Sequence, residues 1–503
     1  MGENCWLLVT ACLAVFCFTS SVLRLFIVTS RKQEKKLPPG PRGLPMLGYL
    51  PFIRKLYHEA FKELSEKYGP IIRLRLGCRE VVVLNDLDSI RAGLNNPDVL
   101  YRPNNFIMSC LGVKGITSLN GEPWQVNRRY CFHALRNLGF AKKSMEAHIQ
   151  EEIKCFVNLL ASAEGQPMVV AKKLAASVCN NISALVFGQR YELDDPRCHY
   201  IEGLVSTFMR YASVLSLLDF LPTVRSVCNY IPYTKIGTLN DVVKNMKQAI
   251  RTEVKKREKN MESYFERDFI DGYLRKTEEN KGTNSHLNMD HLEGNVINLY
   301  GAATNTVRVS ILWNLYVAAS DPDGMQAQVQ RETDAVIGRE KPIEWEDRRS
   351  LPFTMASVLE TLRWRTTTPI GIHRITMSDT EICGYHVSAG TFVIANFWSL
   401  HNDSAHWYNP FQYDPTRFLN SDGTELAEKP VAFLPFSVGR RACPGETLGL
   451  MEVFLYVATL LQHFRVLPEN GKVISLEPTN RFLAVVNDTQ KLRFVRRGVK
   501  VLS

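Results

Sequence analysis

No Cys-x-x-Cys pair occurs anywhere in this sequence, and its 12 cysteines are scattered. That spacing suggests neither a zinc site nor a disulfide framework, so reduced cytosolic thiols are expected. Internal repeats and low-complexity tracts are absent too. A large excess of one charge is also missing. The formal net charge is +10, but six basic and two acidic residues in the first 42 positions put +4 there and leave about +6 for the rest. A membrane surface or an acidic protein partner accounts for so modest an excess, and nucleic acid is not expected as a partner. With 503 residues and 45% hydrophobic content the chain can bury a large core, and length alone would suggest two domains.

Charge is missing altogether from the 20 residues between Asn4 and Leu23, a run long enough to cross a bilayer as a helix. Arg24 interrupts it, and Leu25-Phe-Ile-Val28 continues after it. A cleaved signal peptide is the competing reading. Against it stand the length of the run and the residues before it, which hold Glu3 and no Lys or Arg. Residues 1–28 are therefore expected to be a single membrane anchor. Arg24, Arg31, Lys32, Lys35 and Lys36 flank the span and place the remainder in the cytosol. Residues 29–45 form a basic, Pro-rich hinge. Within it, Leu37-Pro-Pro-Gly-Pro-Arg-Gly-Leu-Pro45 has too many prolines and glycines for a helix or a central strand, and reads as a stiff spacer.

Ile71-Ile-Arg-Leu-Arg-Leu76 alternates and Val81-Val-Val-Leu84 is β-branched, which predicts a hairpin through Gly77-Cys-Arg. A second strand-like region is expected from Thr380 to Leu400, with turns at Gly384 and Gly390. Lys255 to Lys281 reads as a solvated helix pair and its loop. Leu292, Val296, Leu299, Ala303, Val307, Ile311 and Leu315 recur at helical spacing and predict one long helix from about Met289 to Ala319. Its middle turn, Gly301-Ala-Ala-Thr-Asn-Thr306, is small and polar where a core helix is usually apolar, which makes room for something to lie against it.

The strongest chemical signal is Phe436-Ser-Val-Gly439-Arg-Arg441-Ala-Cys443-Pro-Gly445. Gly439 and Gly445 permit a tight turn that brings amides towards one sulfur. Arg441 adds a fixed positive charge, and Phe436 an aromatic face. Upstream, Glu360-Thr-Leu-Arg363 sets an acid and a base on one helix face, and Pro415-Thr-Arg417-Phe418 follows. Trp124-Gln-Val-Asn-Arg128 places an indole N–H and a guanidinium one turn apart, both able to donate to a carboxylate. Taken singly, a buried cysteine, a solvated ion pair and an amphipathic helix would explain these segments. Their order and spacing resemble the cytochrome P450 family at every fixed position of the cysteine loop.

The resemblance covers the whole chain and implies a mainly α fold with a small β-rich lobe, preceded by the N-terminal transmembrane helix. Residues 46–503 would then be one haem-binding catalytic domain. It implies haem b (iron protoporphyrin IX) as cofactor, with Cys443 as the metal ligand whose thiolate favours O–O cleavage and Phe436 shielding the sulfur. Trp124, Arg128, Arg441 and His373 would bind the propionates, His373 being preferred to Arg374. Glu360, Arg363 and Arg417 would form an ion network behind the haem, with Thr416 standing where the family usually has Glu. Thr306 and Asn305 are the implied catalytic residues on the oxygen side. Here the chain departs from the family's Ala-Gly-x-Asp/Glu-Thr: Asn305 replaces the acid and can orient water without carrying a proton, and Ala303 replaces the glycine. Arg308 is expected to pair on the helix exterior.

The resemblance further implies a monooxygenase of the endoplasmic reticulum membrane, acting on a lipophilic small molecule. NADPH-cytochrome P450 reductase, with cytochrome b5 as an additional partner, would dock on the basic cluster Arg128, Arg129, Arg136, Lys142, Lys143 and Arg440. The missing acid keeps open a haem-thiolate isomerase or dehydratase that acts on peroxides; a non-enzymatic haem carrier is the remaining alternative. Substrate walls are expected from residues 103–121, 204–218, 299–306, 366–372 and 480–483. Phe106, Met108, Leu111, Phe208 and Phe482 would be their apolar members, and Asn105 and Asn480 their polar ones.

Overall fold

The computed structural model describes residues 36–498, apart from 104–106, 139–142, 194, 231–234, 259–266, 283–284 and 479–485. The expected anchor over residues 1–28 lies outside the described residues, as do residues 29–35, Asn105, Phe106, Lys142, Asn480 and Phe482. No helix among the described residues is long and apolar enough to cross a membrane.

Helices dominate, and most of the 15 among the described residues enclose one large core. The helix Met289–Ser320 runs through that core, about 48 Å long at 1.5 Å per residue. Asn288 starts it by accepting the His291 N–H, as an N-cap should. It packs most extensively on the helix Ala171–Phe187, and also on the helix Glu446–His463. The predicted span of Met289 to Ala319 and the observed one differ by a single residue at the C-terminus.

Strands β1 (Ile71–Leu76) and β2 (Arg79–Leu84) form the predicted hairpin, with Leu76 opposite Arg79 and the turn confined to Gly77 and Cys78. Between Thr380 and Leu400 the chain supplies β4 (Thr380–Ile382), β5 (Tyr385–Val387) and β6 (Phe392–Ala395). The last part of that region is a short helix, Phe397–His401, rather than strand. Asn396 redirects the chain there, its side chain capping the Ser399 N–H. Strand β3 (Arg374–Ile375) pairs antiparallel with β6, and β6 runs parallel to β2, so the main sheet has the order β1-β2-β6-β3. Two small ribbons, β4-β5 and β7 (Phe464–Pro468) with β8 (Leu492–Arg496), complete the β content. A separate apolar cluster lies beneath the sheet, built from Phe61, Ile72, Val83, Phe220 and Phe392 among others.

The fold adds contacts to the Pro-rich segment and changes the expectation for a charged one. Residues 36–43 have neither helix nor strand, yet they lie along β1, with the Arg73 N–H donating to Pro39 O at 2.8 Å. Within the charged stretch expected to be solvated, Arg257 is buried and pairs with Asp268 at 2.8 Å and Glu253 at 3.1 Å. Burial without such partners would be costly for a guanidinium, so the segment is tied to the core at this point.

Candidate active site

Cys443 sits in a loop that the backbone itself holds closed. The Cys443 N–H donates to Phe436 O at 2.9 Å, and the Ala442 N–H to Gly439 O at 3.0 Å. Gly439 has φ +76°, and a Cβ there would lie 2.6 Å from Leu94 O, so both conformation and space require glycine. The Gly445 N–H points at Cys443 Sγ, 3.4 Å away. Burial pushes the thiol up from its ordinary range, opposed by that N–H and by Arg128. The sulfur nevertheless opens onto an internal cavity, which is why the residue counts as exposed although the loop surrounds it.

That cavity lies between the cysteine loop and the polar turn of the long helix. Its wall includes Cys443, Phe436, Pro444 and Gly445 on one side, and Leu299, Ala302, Ala303 and Thr306 on the other. Volume alone would favour a different cleft, of about 650 Å³ against about 300 Å³, between Arg129, His133 and Lys276. The cleft has no thiol and none of the buried unpaired donors described next, so chemistry selects the smaller cavity.

Four guanidinium groups face this cavity: Arg102, Arg128, Arg374 and Arg441. Arg441 reaches it from the cysteine loop and is held by Leu100 O, Ile116 O and Leu119 O at 2.7 to 3.1 Å. Arg102 donates to Ile372 O and His373 O at 2.6 and 2.7 Å, and Arg128 to Ala442 O at 2.6 Å. Trp124 lies under Arg441, whose guanidinium carbon is 4.0 Å from the ring centroid, a cation–π contact. Among the described residues none of the four has a carboxylate partner. Burial, then repulsion by Arg374 and Arg128, pushes Arg441 down to about 8. Arg374 falls to about 10 for the same reasons, burial first and Arg128 second. Three buried donors, Trp124 Nε1, Arg374 Nη1 and Asn298 Nδ2, have no protein acceptor.

Three buried cations and a half-buried fourth, three orphaned donors, a thiol and a largely apolar wall fit a flat, metal-bearing group with two carboxylates, as haem is. An anion placed among these arginines would relieve their mutual repulsion and satisfy the free N–H groups. The composition of the clamp differs from the expected one at one position. His373 is not part of the cavity wall; its ring packs 5.4 Å from Phe220 in the cluster beneath the sheet, and burial, with Arg102 nearby, pushes it down to about 4. The neighbouring Arg374, the first residue of β3, faces the cavity instead. Arg102 had no sequence signal, since no motif surrounds it.

On the opposite wall, the Thr306 hydroxyl donates to Ala302 O at 2.7 Å and keeps its oxygen lone pairs for the cavity. Asn305 is not in the wall. Its Oδ1 accepts from Arg308 Nη2 at 3.2 Å, and Arg308 pairs in turn with Asp488 at 3.4 Å. Of the expected substrate walls, residues 116–117, 299–306 and 367–372 contribute to the cavity. Met108, Leu111 and Phe208 do not; Phe208 is buried against the long helix near Gly301.

Behind the cysteine loop, Glu360 is fully buried and receives Arg363 Nε and Nη2, both at 2.7 Å. Arg417 Nε is 3.5 Å from Glu360 Oε1, and the Asp414 N–H donates to the same oxygen at 2.9 Å. Burial pushes this carboxyl up, and Arg363 opposes it most. Asp414 caps the turn, accepting from the Thr416 N–H at 3.0 Å and the Thr416 hydroxyl at 2.6 Å, which leaves the arginine as the network member. Arg129, Arg136, Lys143 and Arg440 are exposed, whereas Arg128 is drawn inward to the cavity.

A family model described as Cytochrome P450 matches residues 38–494. Curated relatives include Cytochrome P450 2A12 of Mus musculus, 32% identical over 93% of this chain and 95% of its own length. Cytochrome P450 18a1 of Drosophila melanogaster is 31% identical over 90% of this chain and 86% of its own. Cytochrome P450 2L1 of Panulirus argus is 31% identical over 89% and 92%.

Proposed function

The chain belongs to the cytochrome P450 family, whose members are monooxygenases that bind haem b through a cysteine thiolate, and we propose that Cys443 is that thiolate. The observation that carries this reading is the convergence of Cys443 and four arginines, three buried and Arg128 half-buried, unpaired with any carboxylate among the described residues, on one cavity. Arg102, Arg128, Arg374 and Arg441 hold the propionates, with Trp124 Nε1 as an additional donor. Bound haem supplies the iron at which O₂ is activated, a role in which the thiolate favours O–O cleavage. Phe436 and the closed cysteine loop keep water from the sulfur. Across the cavity Thr306 accepts a hydrogen bond and orients water near the oxygen site, while Ala303 narrows the space beside it.

The substrate is a lipophilic small molecule, since Leu299, Ala302, Val307, Ile370 and Ile372 make its side of the wall mainly apolar. Electrons come from NADPH through NADPH-cytochrome P450 reductase, with cytochrome b5 as a second donor. The exposed Arg129, Arg136, Lys143 and Arg440 would steer these acidic partners. Residues 1–28 anchor the chain in the endoplasmic reticulum membrane, residues 29–45 form the hinge, and residues 46–503 the catalytic domain on the cytosolic side.

The test is the spectrum of the reduced protein under CO. The wild type is expected to show the band of thiolate-ligated haem, and Cys443→Ala to lose it. An unchanged band in the variant would remove Cys443 as ligand.

A further inference from the structure

The cleft of about 650 Å³ lies outside the cofactor cavity, and two helices bound it. Val126, Arg129, His133 and Asn137 recur on one face of the helix Gly121–Asn137. Gly272 and Lys276 lie one turn apart on the helix Phe269–Glu279, with its C-cap Asn280 beyond them. The helices touch at Tyr130, whose ring meets Phe269 and Tyr273 edge-on at 5.4 and 4.9 Å and whose hydroxyl donates to Phe269 O at 3.0 Å. The cleft opens beside that contact, and residues 285–287 supply the remaining wall.

Its chemistry is two-sided. Tyr130, Ala134 and Leu287 are buried or half-buried and form an apolar floor, whereas Arg129, His133 and Lys276 are exposed at the rim. His286 adds an imidazole, and none of the lining residues is acidic. Lys276 pairs with Glu279 at 2.7 Å and His286 lies 3.4 Å from Glu122, but both carboxylates are on exposed residues outside the wall. Among the described residues Arg129 and His133 have no carboxylate partner. Ser285 Oγ accepts the Leu287 N–H at 3.2 Å and keeps its own hydrogen to donate. A wall that sets one sign of charge beside apolar area selects a ligand with the opposite sign and an apolar body.

We propose that this cleft binds an amphipathic organic anion, an aromatic or aliphatic body that carries one sulfate, phosphate or carboxylate group. Its volume of about 650 Å³ suits a small molecule. The body lies on Tyr130, Ala134 and Leu287. The anionic group is held by Arg129, whose planar guanidinium can donate twice, and by Lys276 as a point charge. Entry of the anion breaks only the exposed pair of Lys276 with Glu279, which stabilises the fold little. Arg129 is also one of the charges assigned above to steering the reductase, so an occupant would mask it. That consequence rests on the functional reading; the binding itself does not.

Calorimetric titration of the haem-loaded full chain with naphthalene sulfonate tests the binding. One equivalent should bind, severalfold more tightly than methanesulfonate, which has the charge without the body. Lys276→Glu should weaken it about tenfold or more, the loss of one charge-assisted contact, at unchanged haem content and CO spectrum. A sulfonate that does not bind, that binds no better than methanesulfonate, or that binds Lys276→Glu as well as wild type overturns the site. Vesicles identify the source of the anion. Displacement of the sulfonate by phosphatidylserine but not phosphatidylcholine vesicles supports the site with a lipid headgroup as its anion, and no displacement supports it with a soluble one. Under saturating sulfonate the reductase concentration that half-saturates haem reduction should rise severalfold in the wild type and little in Lys276→Glu. An unchanged value overturns the masking of Arg129. Haem that the reductase never reduces, in a protein that still binds the sulfonate, overturns the electron-donor reading and leaves the site standing.

Discussion

His401 Nε2 accepts the Leu434 backbone N–H at 3.0 Å, joining the short helix after β6 to the chain that enters the cysteine loop. The other ring nitrogen lies 2.6 Å from Thr366 Oγ1, which donates its own hydrogen to Arg363 O at 2.9 Å. With Nε2 accepting, Nδ1 must be the protonated nitrogen, so one neutral tautomer is specified. Arg363 closes the circuit by donating to His401 O at 2.6 Å. The buried ion network is thus connected to the cysteine loop through a single imidazole.

A proton added to Nε2 would set two donors against each other, so acid should loosen this connection. Burial, and then Arg363, push His401 down to about 3, and burial first also pushes His58 and His373 down to about 4. All three are neutral when folded and titrate near 6.5 when unfolded. Their contribution is complete above that value and is lost as pH falls from 6.5 towards 4, at about 1.4 kcal/mol per pH unit for each group. Glu452 acts in the opposite sense, costing stability as pH rises from the ordinary carboxyl range to about 8. Thermal unfolding followed from pH 7 downward should show a steep acid slope that is shallower in His401→Gln. An identical slope in the variant would remove His401 from this role.

Removing Glu360 while leaving Arg363 and Arg417 in place should be severely destabilising. Two buried guanidiniums would lose their shared carboxylate, a change worth about 3–5 kcal/mol. Chemical denaturation of Glu360→Ala measures it, and a loss within about 0.5 kcal/mol, typical of surface sites, would contradict the buried pairing.

Arg374→Ala and His373→Ala should separate two adjacent residues by function. The first should weaken haem retention, by about tenfold or more if one charge-assisted contact of about 1.4 kcal/mol is lost. The second should lower thermal stability by opening the aromatic packing against Phe220 and Phe392, with haem retention little changed. Haem content during dialysis and an unfolding curve for each variant provide the comparison. Equal haem loss in both would mean that His373 also serves the clamp.

Asn305→Asp should reduce hydrogen peroxide release relative to product. The new carboxylate would sit where Asn305 Oδ1 already meets Arg308 Nη2 at 3.2 Å, one residue from Thr306, and would add an ionisable group on the oxygen side. Equal peroxide release by both forms would show that an acid at this position is dispensable.

Local chemistry carried much of this protein in its linear order. The spacing of Leu292 to Leu315 defined the long helix to within one residue at its C-terminus because an amphipathic period needs no distant partner to be read. The cysteine loop, Trp124 with Arg128, and Glu360 with Arg363 were equally legible, since each is a compact group whose members act across one turn. Tertiary structure decided which groups meet across long separations. Arg102 and Arg374 reach the clamp only through the register of β3 and the approach of the segment before the Trp124 helix, and no local pattern marks them. Arg374, the first residue of β3, lines the cavity, whereas His373 just before the strand joins the sheet cluster, a choice that sequence left to resemblance. Short-range periodicity and spacing are properties of the chain itself, whereas the company a buried charge keeps is settled only when distant elements close around it.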